Sequence, residues 1–560
     1  MRQVAFYAEL AVRAAGYDTA RLSELIDHFD SLPSSAFDQL IEVLTSRPIF
    51  GLSEDQRVLL WEHLTKFTNE HRRFSDAKWA LPDNLVTRIE NIAAQLAPTN
   101  PFNLYRHLFT DDDFDLYEEN GDWEDQEKRL EAQREAAIIE IFRQNGVDGI
   151  IRFAESVNSP VKVGQAVGVI DDEVLEHTFL PHFLDMTDNR RKALVSGFIL
   201  RRYHIKGWEW CDNVDKSGWT PGQIGYFLVC LPFIKETWER ASRWLRESEV
   251  EYWSRTRANP YQAGPDLTIA IEKLIEHGRP HAAIECLDCM RRAKLPIDVK
   301  QCIRVLLAAL SSSEPTYTMD MHHIVELIKF LQVEPSVDQD DLFKVEWAYL
   351  PLLNHESGVA PKILESKLAS DPEFFCEIIQ LIYRSKREDQ QPKEPTEKSK
   401  AIAKNAWWLL HEWQTPPGTQ EDGTFNEERF SGWLQRVKEL SIESGHLEVA
   451  MIHIGEVLIY APSDPDGLWI HRSIATALND CDANDMREGF KTATFNSRGA
   501  HFVDPTGKPE KEIAEHFRHK AEDVENAGFH RFATALRDLA QSYEYEAERI
   551  IHEQNNLDEE

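Results

Sequence analysis

An all-α fold, arranged as an irregular α-solenoid of stacked antiparallel helix pairs, is what this 560-residue chain predicts. Apolar residues return at helical spacing along nearly its whole length, while period-two strand patterns bounded by turns are nearly absent. Size adds a second constraint. A chain this long exceeds one ordinary hydrophobic core, so it forms either several domains or an elongated repeat-like array. An apolar fraction of 42%, with 10% aromatic, is ample for burial and far from a disordered composition.

Taken in order, "RLSELIDHFDSL" places Leu22, Leu25, Ile26 and Phe29 on one helical face. Ser53 is a helix cap ahead of "EDQRVLLWEHL", and "DNLVTRIENIAAQL" repeats the helical spacing. "PVKVGQAVGVI" is the one β-rich stretch of note, and it suits a short helix or a loop equally. Thr220 with Pro221 opens "GQIGYFLVCL", and Asp371-Pro372 opens "EFFCEIIQLIY". The clearest antiparallel pair spans His277 to Leu310, where Ala282, Ala283, Leu287 and Met290 face Ile303, Leu306 and Leu307. "HHIVELIKFL" and "EVAMIHIGEVLIY" continue the pattern, but no fixed-length repeat consensus emerges, so the array is irregular.

Breaks in the pattern divide the chain into an N-terminal helical block (1–109), an acidic loop (110–127), a central helical block (128–384), a flexible linker (385–400) and a C-terminal helical block (401–560). The loop, "TDDDFDLYEENGDWEDQE", is expected to be solvated because its charges repel one another. The closing "NNLDEE" is expected to fray.

Charge narrows the function. With 62 basic and 96 acidic residues the formal net charge is −34, a field that repels nucleic-acid phosphates over most of the surface. "RRYHIK" is the best local exception: Arg201, Arg202 and Lys206 lie near Trp208 and Trp210. It reads as a solvated helix end, with a phosphate site as the alternative. Seven scattered cysteines in apolar helical runs read as reduced core residues of a cytoplasmic protein. Glu9 and Arg13 interrupt the N-terminal apolar pattern, which excludes a signal peptide or anchor, and no apolar run approaches the ~20 residues of a membrane span.

Signatures of chemistry are few. There is no phosphate-binding P-loop: the one Gly-Lys pair, Gly507-Lys508, precedes Pro509, which lacks the N–H an amide cradle requires. Cys286 and Cys289 have no second pair, and Cys302 is too far along for a compact zinc set. His322 and His323 point in different directions on a helix, and the turn holding Asp464, Asp466 and Gly467 lacks the glutamate of a calcium loop. Neither metal nor cofactor is expected, and no serine-hydrolase elbow occurs. The stretch "NSRGAHFVDPTGKPEKEIAEHF" admits a hydrolase-like reading, with His501 and Asp504 as an acid/base pair and Arg498 holding an anion. The preferred reading is local. Asn496 and Gly499 end one helix, Asp504-Pro505 and Gly507 turn the chain, and Pro509 with Glu510 starts the next, leaving Arg498 to pair with an acidic neighbour.

Tryptophan is abundant. Trp208, Trp210, Trp238, Trp244, Trp253, Trp407, Trp408 and Trp413 are read as anchors between helices or, where exposed, as binding hot spots.

Several phrases resemble the helical region towards the C-terminus of large bacterial defence proteins that carry a STAND-type NTPase. They are "EHRRFSDAKWALPDNLVTRIENIAAQLAP", "WTPGQIGYFLVCLPFIKETWERA", "DPEFFCEIIQLIYRSK", "IHIGEVLIYAPSDPDGLW" and the stretch from Asn496 to Ala547. The likeness spans nearly the whole chain but rests on phrases, not on a catalytic signature. It implies a sensor-like helical array that works with an NTPase, an effector subunit or a phage protein. This chain lacks NTPase and effector segments, so the resemblance makes it either a remnant or one part of a separately encoded system. The expectation is therefore a non-enzymatic recognition scaffold of the bacterial cytoplasm, the sensor of an anti-phage system.

Overall fold

Helices begin where the sequence supplies their caps. A computed structural model describes residues 2–113, 116, 122–355, 358–386, 396–420, 422–499 and 503–559. Ser53 opens the helix Glu54–Arg73 with a capping box: its hydroxyl accepts from the Gln56 N–H, and the Gln56 side chain accepts from the Ser53 N–H. Thr220 and Gln223 do the same for Pro221–Val229. Asp371 accepts from the Phe374 N–H at the head of Pro372–Ile382. The fold is all-α. Among the described residues the β content is two isolated bridges, Asn354 with Val359 and Thr419 with Phe425.

The β-rich stretch is a helix, Pro160–Val167. Its proline sits in the first turn, where the missing N–H costs nothing, and Val163 and Val167 are fully buried. Tertiary packing overrides β propensity here, because this helix crosses Asn189–Asn213 at backbone contact. A Cβ on Gly164 would collide with the Leu194 carbonyl oxygen, and one on Gly197 with that of Val161. The same reciprocal crossing recurs between Leu447–Val457 and Asn484–Asn496. There Gly455 meets the Met486 carbonyl and Gly489 meets that of Ile452.

Two compact units divide the chain, Met1–Lys273 and Leu274–Glu560. The first has an N-terminal core around Leu22, Phe29, Leu40, Leu64 and Ile89. The second has a core around Phe375, Leu409, Phe430, Ile454 and Leu536. Each fully buried Leu, Ile or Phe contributes on the order of 2 kcal/mol. The helices Pro280–Arg292 and Val299–Ala309 pack on each other in the second unit, with Ala282, Ala283, Leu287, Met290, Ile303 and Leu306 buried and Leu307 half-buried.

The acidic stretch is partly structured. Asp122 caps the helix Trp123–Ser156, and Asp113 is largely buried between Arg134 and Lys162, 2.8 Å from the lysine ammonium. Ion pairing overcomes the mutual repulsion of the run at that point. Much of the 385–400 segment (387–395) lies outside the described residues, and Thr396 caps the helix Glu397–Glu412. Among the described residues, no helix is long and apolar enough to cross a membrane.

Candidate functional site

The turn after Asn496 uses its charges locally. Arg498 donates to the Glu510 carboxylate at 2.6 Å, and Glu510 is fully buried. Asp504 is half-buried and accepts from the N–H of Thr506 at 2.9 Å and from its hydroxyl at 2.6 Å. That hydroxyl bond holds the Asp504 carboxyl below its usual range. Gly507, at φ 62°, precedes Lys508–Asn526 and lies against the Ala547 carbonyl, where a Cβ would crowd it. His501 lies outside the described residues.

The cations of "RRYHIK" are engaged. Arg201 pairs with Glu135 at 2.6 Å and reaches Glu131 at 3.6 Å. Arg202, 2% exposed, donates to the Ile170 carbonyl at 2.5 Å, while Lys206 pairs with Asp171 at 2.7 Å. Of the tryptophans, Trp210, Trp238, Trp253 and Trp413 are buried, and Trp208, Trp244 and Trp408 are half-buried. Two of these carry a cation on the ring face, Arg240 over Trp208 at 3.9 Å and Lys216 over Trp244 at 4.3 Å. Trp407 stands apart at 45% exposed, stacked on His411 with the rings 5.0 Å apart. Burial pushes the Cys286 and Cys289 thiols up, and that of Cys302 up to about 12, so all three pack as small hydrophobes.

One relay had no local signal in the sequence. Tyr383 and His453 Nε2 share a hydrogen bond at 2.8 Å, and His453 Nδ1 meets the Glu456 carboxylate at 2.6 Å. Burial, reinforced by the Glu456 charge, raises the Tyr383 phenol, so it keeps its proton and serves as a donor. The three groups satisfy one another and tie the end of Pro372–Ile382 to Leu447–Val457.

A wide opening lies in the first unit. A cleft of about 1160 Å³ runs beside the helix Glu54–Arg73, closed by the Arg106–Leu108 turn, Thr110–Asp112 and Ser156–Asn158. Trp61 and His107 form its floor, edge to face at 5.5 Å, and burial lowers the His107 pKa so that the imidazole is neutral at pH 7. Glu62 accepts from Arg106 at 2.8 Å on one wall, and the Arg73 guanidinium lies 4.9 Å over Phe74 on another. Lys66, Asn69 and Glu70 are exposed along the rim.

The walls are held from behind. Lys162 donates to the Thr110 carbonyl at 2.6 Å and to that of Asp111 at 3.1 Å, Arg134 donates to the Leu108 carbonyl at 2.6 Å, and Arg190 donates twice to the Val157 carbonyl, at 2.9 and 2.8 Å. Charge-assisted bonds to backbone carbonyls fix loop positions without using the groups that face the opening. The result is an apolar floor, a rim of both charge signs and a pre-set shape. No family model, curated protein or solved structure matches the chain.

Proposed function

We propose that the chain is a non-enzymatic recognition scaffold that holds a segment of a partner protein in the cleft beside Glu54–Arg73. The cleft itself carries this reading. At about 1160 Å³ it is larger than the ~300–1,000 Å³ usual for small-molecule sites. Its aromatic floor suits an apolar side chain of an extended peptide, and Lys66, Arg73, Glu62 and Glu70 suit flanking charges of either sign. Cations behind the walls lower the ordering cost of binding. Trp407 offers a second, exposed aromatic contact on the other unit.

The resemblance to the sensor region of STAND-type defence proteins supports a bacterial, cytoplasmic, antiviral setting, with a phage protein, an NTPase or an effector subunit as partner. Membrane and nucleic acid are not part of this reading. The test is affinity purification of the tagged chain from its host, with and without phage infection, in parallel with Thr65→Trp, which puts a bulky side chain on the cleft wall. One stoichiometric protein held by the native chain and lost from the variant is expected. Identical partners on both chains, or none in either condition, overturns the reading.

A further inference from the structure

The helix Arg2–Ala15 buries one side and leaves the other bare. Val12 and Ala15 are 1% and 5% exposed and belong to the N-terminal core. On the outward side Val4, Phe6, Tyr7 and Leu10 are 63%, 57%, 66% and 48% exposed. Ala11 and Ala14, also exposed, continue the stripe that Tyr7 and Leu10 begin, since residues three and four apart share a helix face. Glu9 and Arg13 lie along one edge, paired at 3.1 Å. A surface helix ordinarily turns polar residues to water, and a contiguous exposed apolar face marks a contact surface.

We propose that this face binds the same face of a second copy of the chain in an antiparallel, two-fold contact. The order of side chains along the stripe argues for that occupant. Its N-terminal half is bulky (Val4, Tyr7, Leu10) and its C-terminal half small (Ala11, Ala14). Antiparallel pairing sets Leu10 of one copy over Ala11 of the other and Tyr7 over Ala14, so large meets small in both halves at once. The same two-fold lays the charged edges side by side in opposite directions, which brings Glu9 of one copy to Arg13 of the other. A parallel two-fold would instead oppose Tyr7 to Tyr7, large against large, and would set the two charged edges on opposite sides of the pair, where Glu9 of one copy cannot reach Arg13 of the other. A helix of 14 residues is about 21 Å long. One face of it falls short of the ~800 Å² per partner of a stable complex. Dimerisation is therefore concentration-dependent.

Sedimentation velocity of the full chain over a concentration series tests this. The native protein shifts from monomer to dimer as concentration rises. Leu10→Asp, at an exposed position, keeps its Tm and stays monomeric throughout. Glu9→Arg sets like charges together and weakens association roughly tenfold, and Glu9→Arg with Arg13→Glu restores it. A native chain that stays monomeric at every concentration, a dimer that survives Leu10→Asp, or a double swap that fails to restore association each overturns the proposal.

Discussion

The turn after Asn496 and the cleft beside Trp61 are both crowded with charge, and they use it in opposite ways. In the turn, Arg498 is bound to the buried Glu510 and Asp504 closes a loop through Thr506. Charge there holds one helix end to the next helix start. In the cleft the structural cations, Lys162, Arg134 and Arg190, stand behind the walls and bond carbonyls, which leaves Lys66, Asn69 and Glu70 facing outward. Polar density in the sequence is therefore a poor guide to a site. What distinguishes the cleft is which side of the backbone each charge sits on.

Removing a structural charge has the largest expected effect. Arg498→Ala removes the guanidinium paired with the Glu510 carboxylate, which is 0% exposed, and destabilises the second unit by about 3 kcal/mol. Chemical denaturation measures that loss, and the expected partner binding at the cleft is unchanged. A stable variant that loses partner binding would reverse the assignments of turn and cleft.

Close behind comes the glycine crossing. Gly455→Ala forces a methyl onto the Met486 carbonyl and costs about 2 kcal/mol as an overpacked contact, read as a fall in Tm. Gly164→Ala, at the matching crossing of the first unit, should behave alike. A neutral result at either position would mean that the two helices part more easily than their contact implies.

Particular groups in the two units should also answer pH in opposite directions. Burial lowers His107 and His71 in the first unit, so their contribution is present above pH 6.5 and is lost as pH falls through the lowered values. In the second unit the hydrogen bond that His355 donates to the Glu365 carboxylate raises the His355 pKa, so its contribution is present below pH 6.5 and is lost as pH rises through the raised value. Burial raises the Glu346 carboxyl to about 7, so its stabilising share is present below 4.5 and is lost as pH rises through about 7. Hydrogen exchange at acidic and mildly alkaline pH, resolved by region, should show acid loosening around Trp61 and alkaline loosening around Glu346. His107→Phe should blunt the former and Glu346→Gln the latter.

Much of the fold was legible in the sequence. Ser53, Thr220 and Asp371 announce helix starts because a cap is a local event, read from four consecutive residues. The pairing of Arg498 with a nearby acid belongs to the same class. "PVKVGQAVGVI" was ambiguous because its conformation depends on Asn189–Asn213, remote in sequence. Single glycines inside apolar runs carry no period, so the reciprocal crossings left no trace. The cleft was hidden for a related reason. Trp61, His107 and Val157 come from three separated segments, each of which alone reads as ordinary helix or turn. Tyr383, His453 and Glu456 repeat the lesson, since one of them lies on a different element from the other two.

The most direct measurement is partner retention by Thr65→Trp beside the native chain, with thermal unfolding of both. Thr65 is half-buried on the cleft wall, so the substitution should alter stability by less than about 1 kcal/mol while occupying the space a peptide side chain requires. A variant that folds as the native chain does and loses its stoichiometric partner is the predicted result. A variant that folds and keeps that partner contradicts the assignment of the cleft as the recognition surface.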